Sequence, residues 1–230
     1  MEVIILAGGL GTRLRSVVND VPKPMALVNN KPFLEYILKW LSIYNINKII
    51  ISAGYKADCI KSYFGSSFKK IPIDYVVEDE PLGTGGGILK ALELTSDENI
   101  MVVNGDTYFP IDIDIFLSEH MRLNGKITIA LKEMTDFDRY GSVSVDNNFN
   151  IYKFHEKLFI QHGLINGGIY FINKKFIQDS SLPMKFSFEK EVLEKEVVNK
   201  KIKGIQFNNQ FVDIGIPDDY HKANQLLLKA

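Results

Sequence analysis

Short apolar runs rich in Val and Ile recur through the first half of the chain, at residues 3–7, 48–52, 73–77 and 100–103, each bounded by turn residues or charge. Runs of that length without polar alternation predict strands buried on both faces. Between them the period lengthens. Leu34, Ile37, Leu38 and Leu41 keep the i, i+3, i+4, i+7 spacing of a helix, with Pro32 placed as its first residue, and residues 57–64 and 88–94 predict two further helices. Alternating strand and helix implies a mainly parallel sheet with helices on both faces. After Asp106 the rhythm changes to a helix at 113–123, strands at 126–132, 141–145, 151–154 and 164–172, a helix at 188–199, a strand at 202–207 and a last helix at 218–228 with an acidic first turn. Polar turns such as Asp146-Asn147-Asn148 separate the strands, and no Pro/Ser-rich linker, low-complexity stretch or internal repeat interrupts the chain. The prediction is one α/β domain over residues 1–230, with a mixed, mainly parallel central sheet flanked by helices.

Composition narrows the partners. Hydrophobic residues make up 46% and charged ones 24%, enough for a sizeable core. Lys plus Arg is 27 against 28 Asp plus Glu, so a chain-wide basic surface for nucleic acid or an anionic membrane is excluded. Cys59 is the only cysteine, which rules out an intramolecular disulfide and a cysteine zinc site; it reads as a small helix residue facing the core. The apolar start at 3–7 is too short for a secretion signal or a membrane span, so a cytoplasmic protein is expected. His120, His155, His162 and His221 fall in no ligand or triad spacing, and Trp40 and Tyr44 sit at helical spacing as packing residues.

The chemistry concentrates in Leu6-Ala7-Gly8-Gly9-Leu10-Gly11-Thr12-Arg13-Leu14, directly after the first strand. A glycine turn at the carboxyl end of a strand lets backbone N–H groups approach phosphate oxygens. Arg13, and Lys23 within Pro22-Lys23-Pro24, add the cations that a polyphosphate needs. The dinucleotide fingerprint would require glycine at position 14, which is Leu, and a Walker A loop would require Gly-Lys-Ser/Thr, where Gly11 is followed by Thr12 and Arg13. Asp106 follows a strand and a glycine, at the end of the sheet where ligands bind. Asp213 is a candidate second carboxylate for magnesium, which takes few carboxylates plus phosphate oxygens and waters.

Gly8-Gly9-Leu10-Gly11-Thr12-Arg13-Leu14 followed by Pro22-Lys23-Pro24 resembles the sugar-nucleotide nucleotidyltransferases, which join a nucleoside triphosphate to a sugar 1-phosphate. The likeness extends to Asn104-Gly105-Asp106, Glu156-Lys157, Asn166-Gly167-Gly168 and Asp213-Ile214-Gly215, nearly the whole chain. It implies a Rossmann-like fold with a nucleotide-binding half at 1–110 and a sugar-phosphate-binding half at 111–230, without the C-terminal β-helix domain of some relatives. It also implies Leu6, Gly8, Gly9, Gly11, Thr12, Arg13, Lys23, Glu78 and Gly83 on the nucleotide, and Gly141, Glu156, Lys157 and Asn166 on the sugar phosphate. Arg13, Lys23 and Asp106 become catalytic, with Asp106 and Asp213 on Mg2+. Leu158 departs from the family pattern, which has Pro after the lysine.

Further stretches, among them Phe137-Asp138-Arg139-Tyr140-Gly141 and Asp213-Ile214-Gly215-Ile216-Pro217, resemble the branch that uses GTP and a heptose 1-phosphate. Glu78 suits guanine, whose N1–H and exocyclic amine offer a carboxylate two adjacent donors. The glycine run at 83–87 reads as a turn against which the base lies. Other nucleotides, mannose 1-phosphate and a catalytically silent regulatory subunit stay open as alternatives, and a homo-oligomer is compatible with all of them. A silent copy has no reason to keep Arg13, Lys23, Asp106, Lys157 and Asp213 together.

Overall fold

The computed structural model describes residues 1–9, 11, 14, 17–18 and 20–228 of the 230. The first half runs β1 (Glu2–Ala7), a 3-10 turn (Lys23–Met25), the hairpin β2 (Leu27–Val28) and β3 (Lys31–Pro32), α1 (Phe33–Leu41), β4 (Lys48–Ala53), α2 (Ala57–Phe64), β5 (Ser67–Phe68), β6 (Ile71–Val77), α3 (Gly83–Leu92) and β7 (Asn99–Asn104). The second half adds β8 (Thr107–Tyr108), α4 (Ile113–Leu123), β9 (Ile127–Phe137), β10 (Gly141–Val145), β11 (Ile151–Lys157), β12 (Ile160–Asn173) and α5 (Lys174–Gln178). A π-helical turn (Glu189–Leu193) then leads into α6 (Glu194–Glu196) and a 3-10 turn (Val197–Asn199), followed by β13 (Ile202–Phe207), β14 (Val212–Asp213) and α7 (Pro217–Leu226).

The four apolar runs of the first half become β6, β4, β1 and β7, lying side by side and all parallel. Alternate residues feed two cores. Val3, Ile5, Ile49 and Ile51 pack with Leu34, Ile37 and Leu38 of α1 on one face, and Ile4, Ile50 and Val102 pack with Ile88, Ala91 and Leu92 of α3 on the other. Each such side chain contributes roughly 1.5–3 kcal/mol on burial, and both faces of β1, β4 and β7 are covered, whereas β6 differs from the expectation in exposing Pro72 and Asp74 on one face. β12 continues the sheet antiparallel to β7 and also pairs with β9 and β10, while β13 lies parallel to β9. The result is the expected single α/β domain with a mixed sheet.

Several boundaries differ from the sequence reading. β9 and β12 run well beyond the predicted 126–132 and 164–172 because their outer parts are held by the ladder between them and not by an apolar run. β12 breaks register between Asn166 and Tyr170, where Gly168 takes φ +73°, so one strand serves both neighbours. Pro32 ends β3 and precedes α1 instead of opening it. α3 begins at Gly83, so the glycine run is helical, and the helix expected at 188–199 is a succession of π, α and 3-10 turns. Cys59 is half-buried on α2 and does not face fully into the core. Among the described residues no helix is long and apolar enough to cross a membrane.

Candidate functional site

β1 lies between β4 and β7, and the chain leaves it in opposite directions on either side, the position at which open α/β sheets bind ligands. A cavity of about 270 Å³ opens there, lined by Leu6, Gly8, Gly9, Glu78, Gly83, Thr84 and Asp106 among others. It brings together most of the residues expected on the nucleotide. Gly11, with φ +59°, folds back so that Lys23 Cβ would lie 3.1 Å from a Cβ there, which ties the glycine turn to the Pro22-Lys23-Pro24 segment. Thr12 and Arg13 lie outside the described residues.

Glu78 is held from below the turn, accepting hydrogen bonds from the Leu82 N–H at 2.9 Å and Ser52 Oγ at 3.1 Å. Asp79 and Glu80 beside it are exposed. The glycines of α3 serve a different surface from the one expected. A Cβ on Gly83 or Gly86 would strike the carbonyl oxygens of Phe186 and Met184, and one on Gly85 would strike the Phe186 ring. Their missing side chains make room for the segment 184–186, and Gly83 also lines the cavity under the β1 turn.

Asp106 and Asp213, far apart in sequence, meet because the short strands β8 and β14 pair with Asp213 opposite Thr107, and the Ile214 N–H donates to Asp106 O at 3.1 Å. The ammonium of Lys23 lies between the two carboxylates, 2.5 Å from Asp106 Oδ2 and 4.0 Å from Asp213 Oδ1. Burial and the neighbouring Asp106 charge hold the Asp213 carboxyl above the ordinary carboxylate range. Two donors orient it: the Gly215 N–H reaches Oδ1 at 2.6 Å and the Tyr140 hydroxyl reaches Oδ2 at 3.0 Å. Burial and the Asp213 charge push the Tyr140 hydroxyl up, so it stays a donor, and Arg139 beside it pairs with Asp219 at the start of α7. Hard oxygen ligands already gathered around one cation suit a magnesium ion. Among the described residues no group of three or more candidate metal ligands forms, so Asp106 and Asp213 would leave most positions to phosphate and water.

A second cavity of about 670 Å³ is lined by Gly141, Glu156, Lys157 and Asn166, all four residues expected on the sugar phosphate. Glu156 and Lys157 are exposed at the end of β11, and Asn166 is fixed at the β12 bulge, accepting from the Gly168 N–H at 2.9 Å and donating to Tyr170 Oη at 3.0 Å. Glu189 and Lys190 of the π turn close the opposite wall. Sequence reading missed them because nothing in that stretch departs from an amphipathic helix. Tyr140 as the orienting donor of Asp213 was also missed, although the Arg139-Tyr140-Gly141 motif had marked the place.

A family model described as nucleotidyl transferase matches residues 2–230. The D-glycero-alpha-D-manno-heptose 1-phosphate guanylyltransferase of Aneurinibacillus thermoaerophilus is 48% identical over 99% of this chain and 98% of its own. The enzyme of the same name from Campylobacter jejuni is 47% identical over 96% and 97%. The crystal structure of HddC from Yersinia pseudotuberculosis complexed with GMP-PN superposes with a TM-score of 0.86 at 39% identity, covering 98% of both chains.

Proposed function

This chain belongs to the nucleotidyl transferase family, and from that premise we propose that it transfers a guanylyl group from GTP to D-glycero-α-D-manno-heptose 1-phosphate, releasing pyrophosphate. The observation that carries the reading is the Asp106–Lys23–Asp213 cluster, whose Asp106 lines the cavity under the β1 turn. Near-full-length identity to two guanylyltransferases of that specificity supports the choice of substrates.

The sugar phosphate oxygen attacks the α-phosphorus in line and pyrophosphate departs from the opposite side. The site's recognised chemistry is that of cations and carboxylates, which suits catalysis by positioning and charge stabilisation. The β1 turn carries the triphosphate, with Gly8, Gly9 and Gly11 offering backbone N–H groups and Thr12 and Arg13 acting on its phosphates. Arg13 meets charge that grows on the leaving pyrophosphate, whereas Lys157 meets a phosphate already charged in the ground state. Lys23 holds the α-phosphate region against Asp106. Asp106 and Asp213 would hold Mg2+, which supplies charge neutralisation on the phosphates when bound. Glu156 accepts from sugar hydroxyls and Asn166 keeps the β12 bulge against the sugar. Glu78 reads guanine from the floor of the nucleotide cavity. The chain acts in the cytoplasm on this reading.

Pyrophosphate release over GTP, UTP, CTP, dTTP and ATP, each with heptose, mannose and glucose 1-phosphates, tests the assignment. The highest kcat/KM belongs to GTP with the heptose, and a tenfold preference for another base overturns the guanylyl reading. Glu78→Gln loses the preference for GTP if Glu78 is the reader, and an unchanged preference removes Glu78 alone.

A further inference from the structure

The nucleotide and sugar cavities share a wall, and one hydrogen-bonded bridge crosses it. Thr84 lines the first cavity and Glu189 the second. Thr84 Oγ1 donates to Glu189 Oε2 at 2.7 Å, and Ser187 Oγ reaches the same oxygen at 2.8 Å. The Phe188 N–H in turn donates to Thr84 Oγ1 at 2.9 Å. Thr84 therefore spends its single proton on the sugar side of the wall and a lone pair on the backbone that carries Glu189. Both hydroxyl donors meet Oε2, and among the described residues Glu189 Oε1 takes no hydrogen bond.

The backbone around this bridge is equally committed. The Gly85 N–H donates to Phe186 O at 3.0 Å and the Phe186 N–H donates to Leu82 O at 2.9 Å, so the strap 184–189 is laced to the first turn of α3. That close approach is what the glycines at 83, 85 and 86 permit. Glu189 is also the first residue of the π turn, an irregularity frequent at functional sites.

We propose that Glu189 is a substrate-binding residue whose free oxygen accepts from a hydroxyl of the sugar phosphate, and that the Thr84–Glu189 bridge makes the two substrates bind with positive coupling. A hydroxyl on Oε1 fixes the carboxylate, which fixes the Thr84 hydroxyl, which holds the strap on the Gly83–Gly85 backbone beside the nucleotide. Each substrate then finds part of its ordering already done by the other. This rests on the proposed function and adds to it a residue and a coupling between the sites.

The test is calorimetric binding of the heptose 1-phosphate in the presence and absence of a GTP analogue carrying a methylene bridge between its α- and β-phosphates, which cannot react. The coupling factor is the ratio of the two dissociation constants. Wild type gives a factor of about 5 or more, the lower end of ordinary coupling between sites. Thr84→Val, which keeps the shape and loses the hydroxyl, brings it below about 2, and Thr84→Ser restores it. Glu189→Ala breaks the same bridge from the other side and serves if Thr84→Val fails to fold. A wild-type factor of 1, or a broken-bridge variant that keeps the wild-type factor, overturns this inference alone. Wild type that binds neither compound overturns the functional reading and the inference with it.

Discussion

The adjacent glycines that open the β1 turn are required by different things. A Cβ on Gly8 would lie 2.5 Å from Glu78 Oε1, whereas a Cβ on Gly9 would meet nothing within 4 Å. A side chain at Gly8 would therefore displace the Glu78 carboxylate from its hydrogen bonds to Ser52 and Leu82, whereas the space over Gly9 is left for whatever enters the cavity. Gly9→Ala should leave stability within about 0.5 kcal/mol of wild type, as for surface changes, yet raise KM for the nucleotide about tenfold or more. Thermal unfolding and initial rates decide it, and an unchanged KM would place the triphosphate away from that backbone. Lys23 invites a second test at this scale. Its ammonium stands where a cation bound by Asp106 and Asp213 would be drawn, so it competes for the same two carboxylates. Lys23→Met should cost at least about 10²-fold in kcat/KM, by analogy with the loss of one electrostatic stabiliser. It should also make added Mg2+ raise the melting temperature more than in wild type, with no nucleotide present. A magnesium response identical to wild type would separate the lysine from the metal site.

Among the elements, α4 is fastened to the sheet by a histidine that carries no catalytic role. His120 Nδ1 lies 2.7 Å from Thr128 Oγ1 on β9, its Nε2 lies 3.1 Å from Asn99 Oδ1 on β7, and its ring stacks on Phe171 of β12. Burial pulls its pKa from the ordinary 6.5 down to about 4. The folded imidazole therefore stays neutral where the unfolded one takes a proton. Its contribution to stability is complete above pH 6.5 and is lost as pH falls from there to about 4, on the order of 3 kcal/mol in all. Denaturant unfolding between these limits should show a shallower loss in His120→Gln than in wild type, and parallel curves would refute the assignment. Sequence spacing found α4 but not this anchor, because a lone histidine carries no pattern. The same division runs through the other elements. Residues 3–7, 48–52 and 100–103 were legible as strands because burial on both faces leaves an apolar run, and 73–77 because Ile73 and Val76 are buried in the sheet although Asp74 faces solvent. The tail of β9 and the head of β12 were not, since a ladder between half-exposed strands leaves no such run. The glycines at 83, 85 and 86 were visible, but their packing depended on Phe186 and Met184, which only the tertiary fold brings to them.

At the scale of the molecule, the proposed function divides the chain into a nucleotide half and a sugar half; the cavity under the β1 turn is lined by residues between 6 and 106 and the larger one by residues between 141 and 197. The halves are nevertheless knitted together at several places. β7 pairs with β12 over five residues, β8 pairs with β14, and the strap 184–189 lies on α3. Cutting after residue 110 would strip β7 of a neighbour, remove Asp213 and uncover the second core, which mixes Ile4 and Val102 with Tyr170 and Phe188. The whole chain should therefore unfold in one cooperative step. Trp40 is the single tryptophan, sits on α1 of the first half and donates to Ile111 O at 3.0 Å, at the boundary between the halves. Its fluorescence reports on that boundary, while far-ultraviolet circular dichroism reports on both halves together. Denaturation curves followed by the two probes should coincide in midpoint and slope, the mark of an all-or-none transition. Curves that separate would mean that one part of the chain opens while another stays folded, and that the contacts knitting the halves together are weaker than their hydrogen bonds suggest.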